Sequence, residues 1–219
     1  MSPDFVDEAL AADIWSVAQA TCFIVIEIKS ASAKQSISGA TAFFIDNRTL
    51  LTAGHNVMTE PKSHISVRAL LPGTPVVSTD FKGIIKGIGV STLTLEIVEN
   101  YWRNTPETDI AILRTVGVTW APHVNLELSD ILTQDALVNV LGYPAEYSDR
   151  SLAKEYGEVV PDALFAGYDE ARKTLPKWTL VTSCGPVLTV GENLEYRLST
   201  INGMSGGPVV YNGKVYGIS

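Results

Sequence analysis

Hydrophobic positions along the chain change period once, near the start. Over residues 7–18, Leu10, Ile14 and Val17 recur at helical spacing with Trp15 beside them, which predicts a short leading helix. From Thr21 onward the pattern is that of strands. Thr21–Ile28 is a β-branched and aromatic run, and Ala40–Ile45 and Thr49–Ala53 flank Asp46-Asn47, a pair suited to a hairpin turn. Further strands are expected at Ile65–Leu70, Gly83–Ile88, Thr92–Val98, Ile110–Arg114, Leu137–Leu141, Trp178–Thr182, Leu194–Ser199, Pro208–Tyr211 and Lys214–Ile218. Many short strands punctuated by Gly, Pro and Asn predict an all-β barrel or sandwich. Gly117–Asp130, with Trp120-Ala121-Pro122-His123 inside it, divides the chain roughly in half. Tyr143–Lys177 has the weakest strand pattern; Pro144, Pro161 and Pro176 punctuate it, and long loops with room for helical turns are expected there.

Composition narrows the function classes. The chain has 219 residues, 46% apolar and 18% charged, so it can bury a sizeable core and is not a disordered polymer. A net charge of −8 with no basic cluster argues against nucleic acid or anionic lipid as a main partner. The N-terminus Met1-Ser2-Pro3-Asp4-Phe5-Val6-Asp7-Glu8 lacks the positive start and apolar run of a secretory signal. The apolar run Cys22–Ile26 is far too short to span a bilayer. These features predict a soluble protein, cytoplasmic or otherwise intracellular. The two cysteines, Cys22 and Cys184, form no disulfide framework and no Cys-x-x-Cys motif, and free thiols are expected. No cluster has metal-ligand spacing, so no metal or organic cofactor is expected. Asn47-Arg48-Thr49 fits a glycosylation sequon, which without a secretory signal is expected to be a chance match.

Three segments carry the candidate chemistry. Asn202-Gly203-Met204-Ser205-Gly206-Gly207-Pro208 sets a serine between glycines, which suggests backbone conformations that side chains would forbid. A nucleophilic serine needs a tight turn with backbone N–H groups aimed at the oxygen that becomes negative, although a plain hairpin turn has a similar composition. Leu51-Thr52-Ala53-Gly54-His55-Asn56-Val57 ends a strand in a small-residue turn bearing a histidine. Thr108-Asp109-Ile110-Ala111-Ile112-Leu113 opens an apolar strand with an aspartate. Singly, such a histidine is more often a hydrogen-bonded core or surface residue and such an aspartate a turn or cap residue. Together, in the order His, Asp, Ser, they point to nucleophilic catalysis. His64 lies in a polar loop and His123 in the mid-chain linker, and both are expected to be solvated.

Ala53-Gly54-His55, Asp109-Ile110-Ala111-Ile112-Leu113 and Gly203-Met204-Ser205-Gly206-Gly207-Pro208 resemble the three signature blocks of chymotrypsin-fold (trypsin-like) serine proteases, over about residues 20–219. Leu198-Ser199-Thr200 and Gly142-Tyr143-Pro144 are similar to the disulfide-poor glutamyl-endopeptidase-like and HtrA-like branch. The resemblance implies two antiparallel β-barrels. Residues 1–20 would form an arm or helix, 21–118 a first barrel with His55 and Asp109, 119–130 a linker, and 131–219 a second, incomplete barrel with Ser205. It implies that Ser205 attacks a peptide carbonyl, His55 moves its proton, Asp109 orients the imidazole, and the N–H groups of Gly203 and Ser205 form an oxyanion hole. Ser199, Thr200 and Ser219 would line the substrate pocket. Gly203-x-Ser205-x-Gly207 also satisfies the nucleophile elbow of α/β-hydrolases, but that fold needs an acid and a histidine after the serine, and none follows here.

Two departures matter. Met204 stands where zymogens of the family carry an aspartate, which implies that the activation switch is absent. In glutamyl endopeptidases a histidine follows the Gly-Ile of the last strand seen here; Ser219 holds that position, which argues against glutamate preference. The strand that pairs with substrate in the family lies beyond Ser219. The expected function is a serine endopeptidase acting on peptides or proteins; the alternative is a protease-fold peptide-binding or interaction module, inactive because that strand is missing.

Overall fold

The computed structural model describes residues 8–30, 35–58, 62–71, 92–103, 108–124, 126, 132–143, 180–191, 194–198 and 203–219. The expected strand Gly83–Ile88, nearly all of Tyr143–Lys177, and Ser199 and Thr200 lie outside these residues.

Helix α1 (Glu8–Ala20) passes directly into β1 (Thr21–Lys29), and the Thr21 hydroxyl closes its last turn by donating to the Val17 carbonyl at 2.8 Å. Val17 and Ala20 are buried, whereas Trp15 stays exposed. The β-branched run of β1 pairs along its whole length with β2 (Gln35–Phe44), from Thr21 opposite Phe43 to Lys29 opposite Gln35. Its other edge pairs with β4 (His64–Leu70). Between β2 and β3 (Thr49–Thr52) the Asp46 carboxylate accepts the N–H groups of Arg48 and Thr49, both at 2.7 Å, which turns the chain back as the Asp46-Asn47 pair predicts. β3 pairs with β6 (Ala111–Thr115), β6 with β5 (Thr92–Asn100) and β5 with β4, so the order β1-β2-β3-β6-β5-β4 closes into a barrel without a free edge.

Strands β7 (Leu137–Gly142), β8 (Val181–Thr189), β9 (Glu195–Tyr196), β10 (Pro208–Tyr211) and β11 (Lys214–Ile218) form a five-stranded antiparallel sheet in the order β11-β10-β7-β8-β9. The described residues are thus mainly β, with one closed six-stranded barrel, a half-barrel and one short α-helix, the class the strand pattern predicts. Strands from around the barrel fill its interior. Ile24 and Ile26 of β1, Ala42 and Phe44 of β2, Leu50 of β3 and Leu113 of β6 are all buried in one cluster. Each fully buried large side chain contributes roughly 1.5–3 kcal/mol of transfer free energy. Val17 and Ala20 of α1, and Leu141, Val210 and Val215 of the half-barrel, join that same cluster. A smaller cluster under the half-barrel holds Val138, Val140, Val187, Met204 and Val209.

Three strands differ clearly from expectation. β2 runs Gln35–Phe44 rather than Ala40–Ile45. β8 covers Val181–Thr189, past the expected end at Thr182, and Gly185-Pro186 do not break it; Trp178 and Thr179 lie outside the described residues. A Cβ at Gly185 would lie 1.9 Å from the Arg197 carbonyl oxygen, so the glycine admits the backbone that leaves β9. Pro186 still accepts the Arg197 N–H at 2.9 Å. β9 contracts to Glu195–Tyr196 within the expected Leu194–Ser199. His64 and His123 are exposed, as their polar settings predict. Cys22 and Cys184 are free, the first buried and the second exposed.

Candidate active site

β3 ends where its pairing with β6 ends, at Thr52 opposite Ala111, and the chain enters a short 3-10 turn, Gly54–Val57. The turn needs a glycine. A Cβ at Gly54 would sit 2.7 Å from Trp102 Cβ, 2.8 Å from Asn100 Oδ1 and 3.2 Å from Asp109 Oδ1. Asn100, at the end of β5, braces the turn by donating its amide to the Gly54 carbonyl at 3.0 Å, while its Oδ1 accepts the Trp102 N–H at 3.1 Å.

Asp109 lies in the extended segment just before β6 and grips His55 twice. Its Oδ1 accepts the His55 backbone N–H at 2.8 Å, and its Oδ2 lies 2.6 Å from the ring Nδ1. Because a carboxylate only accepts, Nδ1 carries a proton, and in the neutral imidazole Nε2 is then the nitrogen with the free lone pair. The His55 side chain remains 43% accessible, so Nε2 can meet a ligand. The Trp102 indole stands edge-on to the imidazole, with ring centroids 6.4 Å apart and planes at 72°. The indole N–H donates to Met58 Sδ at 3.0 Å.

The serine turn is built from glycines in two senses. Gly203 (φ +92°) and Gly206 (φ +89°) occupy the left-handed region, which side chains resist. Gly206 also has no room, since its Cβ would lie 2.2 Å from both the Thr41 carbonyl oxygen and Thr52 Oγ1. The buried Met204 side chain anchors the turn in the smaller core cluster, and the Gly207 N–H closes it onto the Met204 carbonyl at 2.9 Å. Ser219 is held against the same turn: its carbonyl accepts the Gly206 N–H at 2.6 Å and its N–H donates to Gly207 at 2.9 Å.

The turn docks on the closed barrel. Thr41 of β2 donates its N–H to the Ser205 carbonyl at 3.1 Å and its hydroxyl to the Gly203 carbonyl at 2.7 Å. Asn56, the residue after His55, donates its amide to the Ser205 carbonyl at 3.0 Å. Among the described residues no hydrogen bond joins the Ser205 hydroxyl to His55; the two segments meet through the Ser205 carbonyl. Such catalytic hydrogen bonds are often long without substrate and tighten when it binds. Among the described residues no acceptor takes the N–H of Gly203 or of Ser205. Thus His55 and Asp109 are in direct contact, Ser205 and Gly203 share one turn docked on the closed barrel with the Ser219 backbone paired to it, and Ser199 and Thr200 lie outside the described residues.

Thr41, Asn56, Asn100 and Trp102 were not legible as site residues. Their partners are remote in sequence, and only the position of Asn56 beside His55 offered a signal. Two groups near the contact between barrel and half-barrel are kept uncharged. Burial pushes the Cys22 thiol well above its usual range, and burial, then the neighbouring Cys22, does the same for the Tyr143 phenol. Among the described residues no group of three His, Cys, Asp or Glu side chains could hold a metal ion, and no helix is long and apolar enough to cross a membrane.

Residues 40–218 match the family model of the trypsin-like peptidase domain, and the chain belongs to that family. Membership carries a protease-type function with peptides or proteins as the substrate class. No curated protein matches the chain.

Proposed function

We propose that the protein is a serine endopeptidase that cleaves peptide bonds through an acyl-enzyme on Ser205. The observation that carries this reading is the double grip of Asp109 on His55 at 2.8 and 2.6 Å, beside a serine turn whose two candidate oxyanion donors meet no acceptor among the described residues. Ser205 Oγ attacks the scissile carbonyl carbon while His55 Nε2 takes the hydroxyl proton. The carbonyl electron pair moves onto oxygen, where the N–H groups of Gly203 and Ser205 receive it; losing one such donor typically raises the barrier by about 3–4 kcal/mol. Collapse breaks the C–N bond, and the leaving amine takes the proton from His55. Water then attacks the ester by the same route in reverse and frees Ser205. Asp109 holds the Nδ1–H tautomer and stabilises the imidazolium that forms at each proton transfer.

A second reading, a peptide-binding module that does not hydrolyse, is favoured by the lack of a Ser205–His55 hydrogen bond. The two separate on exposure of the protein to a peptide library. New peptide termini, identified by mass spectrometry, that appear with the wild type and vanish with Ser205→Ala support the endopeptidase. Retention of intact peptides without cleavage supports the module.

A further inference from the structure

We propose that Asn56 is a positioning residue, a side-chain clamp that sets the reach between the base and the nucleophile; this rests on the endopeptidase reading above. His55 rides on a turn of the closed barrel, whereas Ser205 precedes β10 of the half-barrel, so two separate sheets must hold their side chains in register. Catalytic geometry tolerates little error, and a misplacement of about 1 Å can cost on the order of 100-fold in rate.

Asn56 Nδ2 lies 3.0 Å from the Ser205 carbonyl oxygen and 3.1 Å from Thr52 Oγ1. The chemistry of the partners fixes the orientation of this amide. A carbonyl has no proton to give, and the Thr52 hydroxyl already gives its own to the Thr41 carbonyl at 2.7 Å. Both partners therefore accept, the atom facing them is nitrogen, and both of its protons are engaged. Thr41 completes the joint. Its hydroxyl donates to Gly203 at 2.7 Å and accepts the Tyr143 N–H at 2.9 Å, linking β2, the serine turn and the end of β7 at one buried atom. The joint has no slack, because the serine turn sits so close that Gly206 has no room for a Cβ against Thr41 and Thr52.

Asp109 thus holds the backbone N–H of His55, and the very next side chain holds the carbonyl of Ser205. Without the Asn56 amide, the Ser205 carbonyl keeps only the Thr41 N–H, and the turn bearing the base loses its side-chain tie to the nucleophile. The effect falls on the chemical step, since Asn56 offers its donors to the protein and not to a ligand.

The test is the time course of Ser205 modification by a fluorophosphonate over a range of probe concentrations, which separates the limiting rate kinact from the affinity KI. Wild type, Asn56→Ala and Asn56→Asp are compared after thermal melts have shown each to be folded. Asn56→Asp keeps the shape but cannot donate. Both variants should lower kinact by about 10- to 100-fold and leave KI unchanged. A packing role would spare Asn56→Asp. Wild-type rates of kinact in the folded variants overturn the clamp alone. No labelling of the wild type overturns the nucleophile, and the clamp with it.

Discussion

Asp109 and His55 are joined at two points, one through the backbone and one through the ring, at 2.8 and 2.6 Å. The backbone bond fixes where the turn begins, and the ring bond fixes which nitrogen carries the proton. Replacement by asparagine separates the two. In Asp109→Asn the side-chain oxygen can still accept the His55 N–H, but its NH2 then faces Nδ1 and selects the tautomer protonated at Nε2. The base is lost while the shape is kept. Peptide hydrolysis should fall on the order of 10⁴-fold, with melting close to wild type. Activity within a few-fold of wild type, measured on the same peptide, would remove Asp109 from the mechanism.

The serine turn makes a sharper demand on stability. Gly206→Ala sets a Cβ against the Thr41 carbonyl oxygen and Thr52 Oγ1, both at 2.2 Å, at a residue whose φ is +89°. Overpacking and left-handed strain together should cost on the order of 3 kcal/mol, seen as a lower midpoint in urea, with loss of activity in the molecules that still fold. An unchanged midpoint would mean that the turn seats differently.

Thiol reactivity reports the core. Cys22 is fully buried and its thiol is pushed far up by that burial, whereas Cys184 is exposed on β8. A disulfide reagent should modify Cys184 alone in the native protein and both cysteines after denaturation. Rapid modification of Cys22 in the folded state would contradict the barrel packing.

The hairpin at Asp46 should give a pH-dependent contribution to stability. Slight burial raises its carboxyl, but the N–H groups of Arg48 and Thr49, the Thr49 side chain and the charge on His123 outweigh this and hold it below its ordinary range. A pKa lower in the folded than in the unfolded chain contributes stability above the unfolded value and loses it as pH falls through the folded one. Asp46→Ala should therefore be destabilised near neutral pH, by about 1 kcal/mol or less for so exposed a group, and match wild type near pH 2. Melts in the two ranges check it; a difference that persists in acid would assign the effect to packing.

Local pattern sufficed where one residue type has one local use. The β-branched run of β1, the strand after Asp109 and the Asp46-Asn47 turn read correctly because alternation and turn chemistry are short-range. The strand expected to end at Thr182 instead runs on to Thr189 through Gly185-Pro186, where the glycine admits the backbone of Arg197 and the proline carbonyl still pairs with it. His55, Asp109 and Ser205 were legible as candidates because their glycine-rich and apolar contexts are distinctive. Thr41 and Asn56 were not. A threonine in a strand and an asparagine after a histidine are ordinary residues until the fold brings the Gly203 and Ser205 carbonyls to them. Nor does sequence reveal that Ser219 meets the turn through its backbone, pairing with Gly206 and Gly207.

The claim that Ser205 is an activated nucleophile is tested most directly by a fluorophosphonate adduct mapped by peptide mass spectrometry. An activated Ser205 predicts a single adduct on the peptide that contains it, absent from Ser205→Ala and from His55→Ala. No adduct on Ser205, or labelling undiminished in His55→Ala, would contradict it.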